Sequence, residues 1–332
     1  MTTFAPLPFD PIFKPALWGG RKLKPFFGLP ATEEAIGEAW ILSDQGDNAS
    51  VVTDGPWQGK TLRELLESHP HELIGSSKLP GGRFPILLKL IDAADKLSVQ
   101  VHPTDDLSTR FPAPDGKPHP GLGKTEAWVI LEAAKDSEIY AGVKPGTTAE
   151  SIRDDLKKGS ITNWLHEFHP KRGDCLFLEA GTVHAIGKKI FLFEIQQTSD
   201  ITYRLFDWNR VDAKTGKPRD LHIEPSLACI DYARGPVAPV VPKLELEQEG
   251  TCERLVSCRY FELWRWSMQQ EFAVGAPGKC RVVVCTGGAG TLLSSSQQFE
   301  LKPGSVYLLP AELGGVWCIP AGTIELMECG IP

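Results

Sequence analysis

The sequence predicts a mainly β protein: two β-barrels or sandwiches in one chain, with a few short helices in the N-terminal half. Three observations carry this. Glycine and proline are abundant, 32 and 27 of 332 residues, which favours turn-rich β structure over a helix bundle. Beyond residue 250, short apolar runs alternate with Gly and Pro, the spacing of a sandwich or barrel. One segment pattern, a glycine, five strand-like residues and a turn, also occurs twice, from Gly173 and again from Gly304.

The elements follow in order. Residues 1–30, Pro- and Gly-rich around Trp18-Gly19-Gly20, read as extended chain and turns. Residues 38–52 (EAWILSDQGDNASVV) read as a strand and a turn. In 60–74, Leu62, Leu65 and Leu66 recur at helical spacing behind Thr61, a suitable N-cap. Residues 84–102 hold two strands around a polar turn, a Pro/Gly/Asp loop covers 104–123, and EAWVILEA at 126–133 is a further strand. The run 148–168 reads as helix interrupted at Gly159, with Thr147 or Thr148 as cap. Short strands and turns then reach about Tyr203, and a polar loop fills 208–225. The segment GPVAPVVPK at 235–243 carries three prolines and reads as a stiff linker. It divides the chain into 1–238 and 239–332. Strands are expected beyond it at RYFELWRWSM, CRVVVCTG, GTLLS, SVYLLP, GVWCIP and TIELMEC.

Composition limits the function. Hydrophobic residues make up 42% and charged residues 23%, an ordinary globular balance with enough apolar material for a core. Formal net charge is -7 with no basic tract, so a nucleic-acid partner, which needs clustered Lys and Arg, is not expected. No apolar run approaches the roughly 18 residues of a membrane span. The start, Met1 to Pro15, lacks a basic stretch followed by an apolar one, so a cytoplasmic protein is expected. The eight cysteines form no CxxC pair and read as buried free thiols rather than a zinc-thiolate site.

The repeated segment is informative at its end. Gly173-Asp-Cys-Leu-Phe-Leu-Glu179-Ala-Gly181-Thr-Val-His184 resembles the cupin superfamily motif Gly-x5-Pro-x-Gly-x2-His, with Glu179 in place of Pro. The second copy, Gly304 to Gly314, keeps Pro310 but has Gly314 near the histidine position. The likeness implies two jelly-roll-like units, the first able to hold a metal and the second not.

Around His184 a constellation can be assembled. In Gln100-Val101-His102, read as a strand, the two polar side chains share a face. With Glu126 and His184 they offer two imidazoles, a carboxylate and an amide oxygen, a set suited to Zn²⁺ or a similar divalent ion. A strand histidine by itself is more often structural; the motif position of His184 is what singles these out. Glu194 alternates with apolar neighbours in FLFEIQ, as an inward-facing acid would. Lys89 interrupts the apolar run PILLKLI, where an unpaired lysine is costly to bury. Lys124, two residues before Glu126, faces the same way on extended chain, and Arg204 follows in SDITYRLFDWN.

The segments QVHP, GKTEAW, GTVHAIG and FEIQQTSDITYRLFDWNR together resemble type I mannose-6-phosphate isomerase, most nearly its compact bacterial form. The likeness runs from Trp18-Gly19-Gly20 to about Asp231 and continues more weakly beyond. It implies one zinc ion per chain, held by Gln100, His102, Glu126 and His184, with Lys124, Glu194, Arg204 and Lys89 in the active site. The implied substrate is a phosphorylated sugar, and the implied reaction exchanges mannose 6-phosphate and fructose 6-phosphate by proton transfer through an enediol. Lys124 and Glu194 are both candidates for the base. Arg21, Lys22 and Lys24 are candidates for the phosphate site. A monomer or homodimer is expected. The larger members' helical insertion has no counterpart in this length. The alternative in another class is a non-catalytic cupin that binds a sugar or sugar phosphate as a sensor or regulator.

Overall fold

In the computed structural model, which describes residues 4–114, 116, 121–211, 216–295 and 297–332, the chain is built from antiparallel sheets and a few short helices. Its N-terminal part is a sandwich. One sheet has the order Leu165–Phe168, Ile139–Val143, His184–Ile186, Val99–Val101, Tyr203–Phe206. The other has the order Cys175–Leu178, Glu126–Ala133, Ile190–Gln197, Ile86–Ala93, Ile12–Gly20, Ile36–Leu42. The C-terminal part repeats the plan with a seven-stranded sheet and a four-stranded sheet. The outcome is mainly β with two cupin-like sandwiches.

Alternation along the strands decides what faces what. In Ile86–Ala93, Ile86, Leu88 and Leu90 join the large core shared with the C-terminal part, while Ile91 and Ala93 join the core between the two N-terminal sheets. Phe191, Phe193 and Ile195 point the first way, as do Ala127, Val129 and Leu131. Ile190, Leu192, Trp128 and Ile130 point the second way. Both faces of this sheet are therefore covered, which is why its central strands read as near-continuous apolar runs. Polar residues on its inner face, Lys89, Glu126, Glu194 and Gln196 among them, are consequently buried.

The outer face of the five-stranded sheet is covered by helices. Val99, Val101, Val183, Ala185, Tyr203 and Leu205 pack with Ile152 and Leu227. Ile152 belongs to the helix Ala149–Lys158, capped at its start by Thr148 and ended by Gly159 in left-handed conformation. The chain beyond Gly159 departs from the helical reading: Ile161–Trp164 is a single 3-10 turn and Leu165–Phe168 becomes an edge strand. There tertiary pairing with Ile139–Val143 overrides local propensity. The helix expected over 60–74 is two helices, Leu62–Ser68 and Pro70–Ile74, the first with a full Thr61/Glu64 capping box.

Residues 1–30 are more regular than expected. Ile12–Gly20 is a nine-residue strand, and Leu23–Phe26 a helical turn. Gly19 is needed because a Cβ there would lie 2.5 Å from the backbone nitrogen of Gly37 on the paired strand. Leu7–Pro8 pairs with Val306–Leu309 and so forms an edge of the C-terminal sheet. All six strands expected beyond the linker are present. Among the described residues no helix is long and apolar enough to cross a membrane, and the eight cysteines are all free, seven of them buried. The middles of the loops 104–123 and 208–225 lie outside the described residues.

Candidate active site

The sandwich interior carries two facing lines of polar side chains. On the six-stranded sheet, register places Trp128, Glu194, Lys89 and Trp40 side by side across four strands. On the opposite sheet Gln100 lies between His184 and Arg204. His102, just past its strand, shares the face of Gln100.

Where the lines meet, His102, Glu126 and His184 form a buried group whose ligand atoms all lie within 4.8 Å of one another. His184 Nδ1 is 2.9 Å from the Thr182 carbonyl and His102 Nδ1 2.9 Å from the Ile201 carbonyl. A carbonyl only accepts, so both rings carry the proton on Nδ1 and turn a bare Nε2 inward. Burial lowers the pKa of both, His184 to about 4 and His102 well below its ordinary value, so both stay neutral near pH 7. Glu126 Oε1 lies 3.3 Å from His184 Nε2 and accepts no hydrogen bond. Two lone pairs facing one another in a dry interior repel unless a cation lies between them. The donor set, two neutral imidazoles and one carboxylate, therefore fits a divalent metal ion. Gln100 adds its amide, Nε2 being 3.4 Å from His184 Nε2; a half turn would present its oxygen instead.

Lys124 sits on top of this group. Its ammonium donates to Glu126 Oε2 and lies 3.1 Å from His102 Nε2 and 3.8 Å from Glu194 Oε1. Lys89, also buried, is surrounded by acids: Glu38 at 3.4 Å, Glu194 at 3.5 Å and Asp200 at 3.7 Å. Burial alone would lower the Lys89 pKa, but these carboxylates hold it above its ordinary value. Glu194 and Glu38 are pushed apart. Burial raises Glu194 more than Lys124 and Lys89 lower it, whereas Lys89, the Trp40 indole and Lys124 hold Glu38 below its usual range despite burial. One oxygen of Glu194 accepts from the Trp128 indole at 2.8 Å; the other, Oε1, has no hydrogen-bond partner. A buried acid of raised pKa with a free oxygen beside two ammonium groups is equipped to take and return a proton.

This floor opens into a cleft of about 840 Å³ lined by Lys89, Gln100, Lys124, Glu194 and Arg204 among others. Arg204 donates to the Asp220 carbonyl at 2.8 Å, and its Nε is buried without a partner. The structure thus brings seven of the eight residues singled out in the sequence into one cluster, with Arg204 beside Gln100 on the wall. The candidate phosphate residues lie elsewhere: Arg21 pairs with Glu33 and Lys22 with Glu132 on the surface, and neither these nor Lys24 line the cleft. Among the described residues, the cations that do line it are Arg83, Arg204 and Arg219, besides the two lysines. Sequence reasoning missed Glu38, Trp40, Trp128 and Asp200. The signal was present for three of them, since Glu38 and Trp40 alternate on one strand and Trp128 stands two residues after Glu126.

A β-sandwich with a buried His-Glu-His group that could hold a metal ion, beneath an acid- and lysine-lined cleft, has the architecture of a cupin-class enzyme. The comparisons go further. A family model described as phosphomannose isomerase type I, catalytic domain, matches residues 7–126. The mannose-6-phosphate isomerase ManA of Bacillus subtilis is 38% identical over 314 residues, covering 95% of each chain. The mannose-6-phosphate isomerase of Streptococcus mutans is 34% identical over 89% of each. The crystal structure of the mannose 6-phosphate isomerase from Bacillus subtilis superposes with a TM-score of 0.87 at 30% identity, covering 98% of this chain and 99% of that one. A putative mannosephosphate isomerase from Archaeoglobus fulgidus shares the fold, with a TM-score of 0.75 at 21% identity and 98% and 97% coverage. The chain belongs to the type I phosphomannose isomerase family.

Proposed function

We propose that this chain interconverts mannose 6-phosphate and fructose 6-phosphate by proton transfer through an enediol, using one zinc ion. The observation that carries the reading is the juxtaposition of a neutral two-histidine, one-carboxylate donor set with Lys124 and Glu194 on the floor of a single cleft. His102, Glu126 and His184 would hold the ion with Gln100 as fourth donor; when bound it supplies a Lewis acid that polarises the sugar's oxygens.

A proton beside a carbonyl is too weakly acidic to leave unaided, so a base and charge stabilisation are both required. Glu194 and Lys124, 3.8 Å apart, share the proton transfer. Lys89 and Arg204 offset negative charge as it builds on the enediolate oxygens. The phosphate is expected among the cleft's arginines rather than at the Arg21–Lys24 turn.

The division of labour proposed is 1–238 for the chemistry and 239–332 as a metal-free β domain. The second stretch contains no histidine, and Gly315, eleven residues after Gly304, stands where His184 stands after Gly173. The turnover test is incubation with mannose 6-phosphate in D₂O. Fructose 6-phosphate carrying solvent deuterium at C1 is expected. Binding without conversion would favour the sensor reading, and full retention of the C2 hydrogen at C1 even on prolonged turnover would favour a hydride shift over the enediol route.

A further inference from the structure

Lys124 is held by a hydrogen-bond relay that begins in the C-terminal domain. Three consecutive peptide N–H groups around it each have an assigned acceptor. Gly123 N donates to Asp105 Oδ1 at 2.8 Å, Lys124 N to the Pro103 carbonyl at 3.1 Å, and Thr125 N to Gln197 Oε1 at 2.8 Å. Gln197 is buried, and its Nε2 donates to the same Asp105 Oδ1 at 3.0 Å. Asp105 thus controls both peptides flanking the lysine, one directly and one through Gln197.

The other oxygen of Asp105 belongs to a different part of the chain. Oδ2 accepts from Tyr260 Oη at 2.8 Å and from Arg259 Nη2 at 3.1 Å. Arg259 and Tyr260 form the turn between the strands Gly250–Ser257 and Glu262–Met268 of the C-terminal sheet. That turn is closed by a hydrogen bond from Cys258 N to the Phe261 carbonyl at 3.0 Å, with the Arg259 guanidinium stacked on the Tyr260 ring. Gly123 leaves no slack on the receiving side: a Cβ there would lie 2.6 Å from Asp105 N and 2.7 Å from the Pro103 carbonyl oxygen. The backbone is clamped where the ammonium must be aimed.

We infer that Asp105, Gln197 and Tyr260 are positioning residues for Lys124, and that the C-terminal domain serves catalysis by anchoring Asp105 through its Arg259-Tyr260 turn. The inference rests on the proposed role of Lys124 in proton transfer. None of the three touches the metal group or lines the sugar-binding floor, so their loss acts on alignment of the ammonium rather than on substrate contact.

The test compares wild type with Asp105→Ala, Asp105→Asn and Tyr260→Phe, each with its zinc content measured. Two readouts are taken: steady-state kinetics with mannose 6-phosphate, and hydrogen exchange of the peptide amides over 121–127. Asp105→Ala is expected to lower kcat roughly 10–100-fold with KM within about twofold, and Tyr260→Phe to lower it by roughly 3–10-fold, since small misplacements of reacting groups carry costs of this order. Asp105→Asn, which can still accept from Gly123, should recover part of the loss. Faster exchange at Gly123 and Thr125 should accompany the loss in both Asp105→Ala and Tyr260→Phe. Unchanged exchange there, or kcat within twofold of wild type in Tyr260→Phe and Asp105→Ala alike, overturns the inference. If wild type itself shows no turnover, the functional reading fails, while the exchange arm still decides whether the relay holds the segment.

Discussion

Glu126 Oε1 and His184 Nε2 face each other 3.3 Å apart with no proton between them, because the ring's only proton is on Nδ1 with the Thr182 carbonyl. Such a contact between two acceptors makes sense as half of a metal site. His184→Ala, His102→Ala and Glu126→Gln should each lower zinc affinity by more than the roughly 10–100-fold that loss of an outer partner costs. Metal analysis after dialysis against a buffered zinc series measures this, and wild-type affinity in all three would mean that these residues do not hold the ion.

Lys124 should be separable from metal binding. Its ammonium stands against Glu126 and His102 as a competitor of the ion rather than a donor to it. Lys124→Met should keep bound zinc at or above the wild-type level while kcat falls by about 10²–10⁴, the range for loss of a general acid–base group. A variant with full zinc and near-normal kcat would exclude Lys124 from proton transfer.

Lys89 neutralises a cluster of acids as well as facing the cleft. Its removal leaves the buried Glu194 and the half-buried Glu38 without this cation, with Asp200 at the exposed edge of the cluster. Lys89→Met should destabilise the fold by about 3–5 kcal/mol, the usual cost of leaving a buried charge unpaired. Adding Glu194→Gln to it should return part of that loss, which a double-mutant cycle by urea denaturation would show as coupling.

Stability of the chelator-treated protein should depend on His184 at acid pH. Its folded pKa is about 4 against an ordinary 6.5, so between these values the unfolded chain takes a proton that the folded chain refuses. Stability from this group is complete above pH 6.5 and lost as pH falls toward 4, on the order of 3 kcal/mol over that span. His102 acts in the same direction, while Glu194, with its raised pKa, acts in the opposite one. In His184→Gln this contribution goes, and that of His102, which His184 helps to lower, shrinks with it, so the slope of unfolding stability between pH 6.5 and 4 should be shallower than in wild type.

Much of this arrangement was legible in the sequence because strands have a period of two. Gln100 and His102 share a face by alternation alone, and Lys89 and Glu194 stood out as charges inside apolar runs. Those runs are apolar on both faces because the sheet is covered on both, so any polar residue within them has to find a partner inside. Arg21, Lys22 and Lys24 do not line the cleft although Trp18, Glu38 and Trp40 on the neighbouring strands do, since local charge says nothing of which way a turn's side chains point. The edge strand Leu165–Phe168 was hidden for a related reason: pairing with Ile139–Val143 is a long-range event that local propensity does not record. The tie from Tyr260 through Asp105 to Gly123 was equally invisible, as it joins three segments with no common motif.

The most direct measurement strips the purified protein with chelator, then assays mannose 6-phosphate conversion before and after adding back one equivalent of zinc. Conversion should vanish on stripping and return as the ion binds, with one zinc per chain at full recovery. A fully active metal-free protein, or a reloaded one that leaves mannose 6-phosphate unchanged, would contradict the account at its centre.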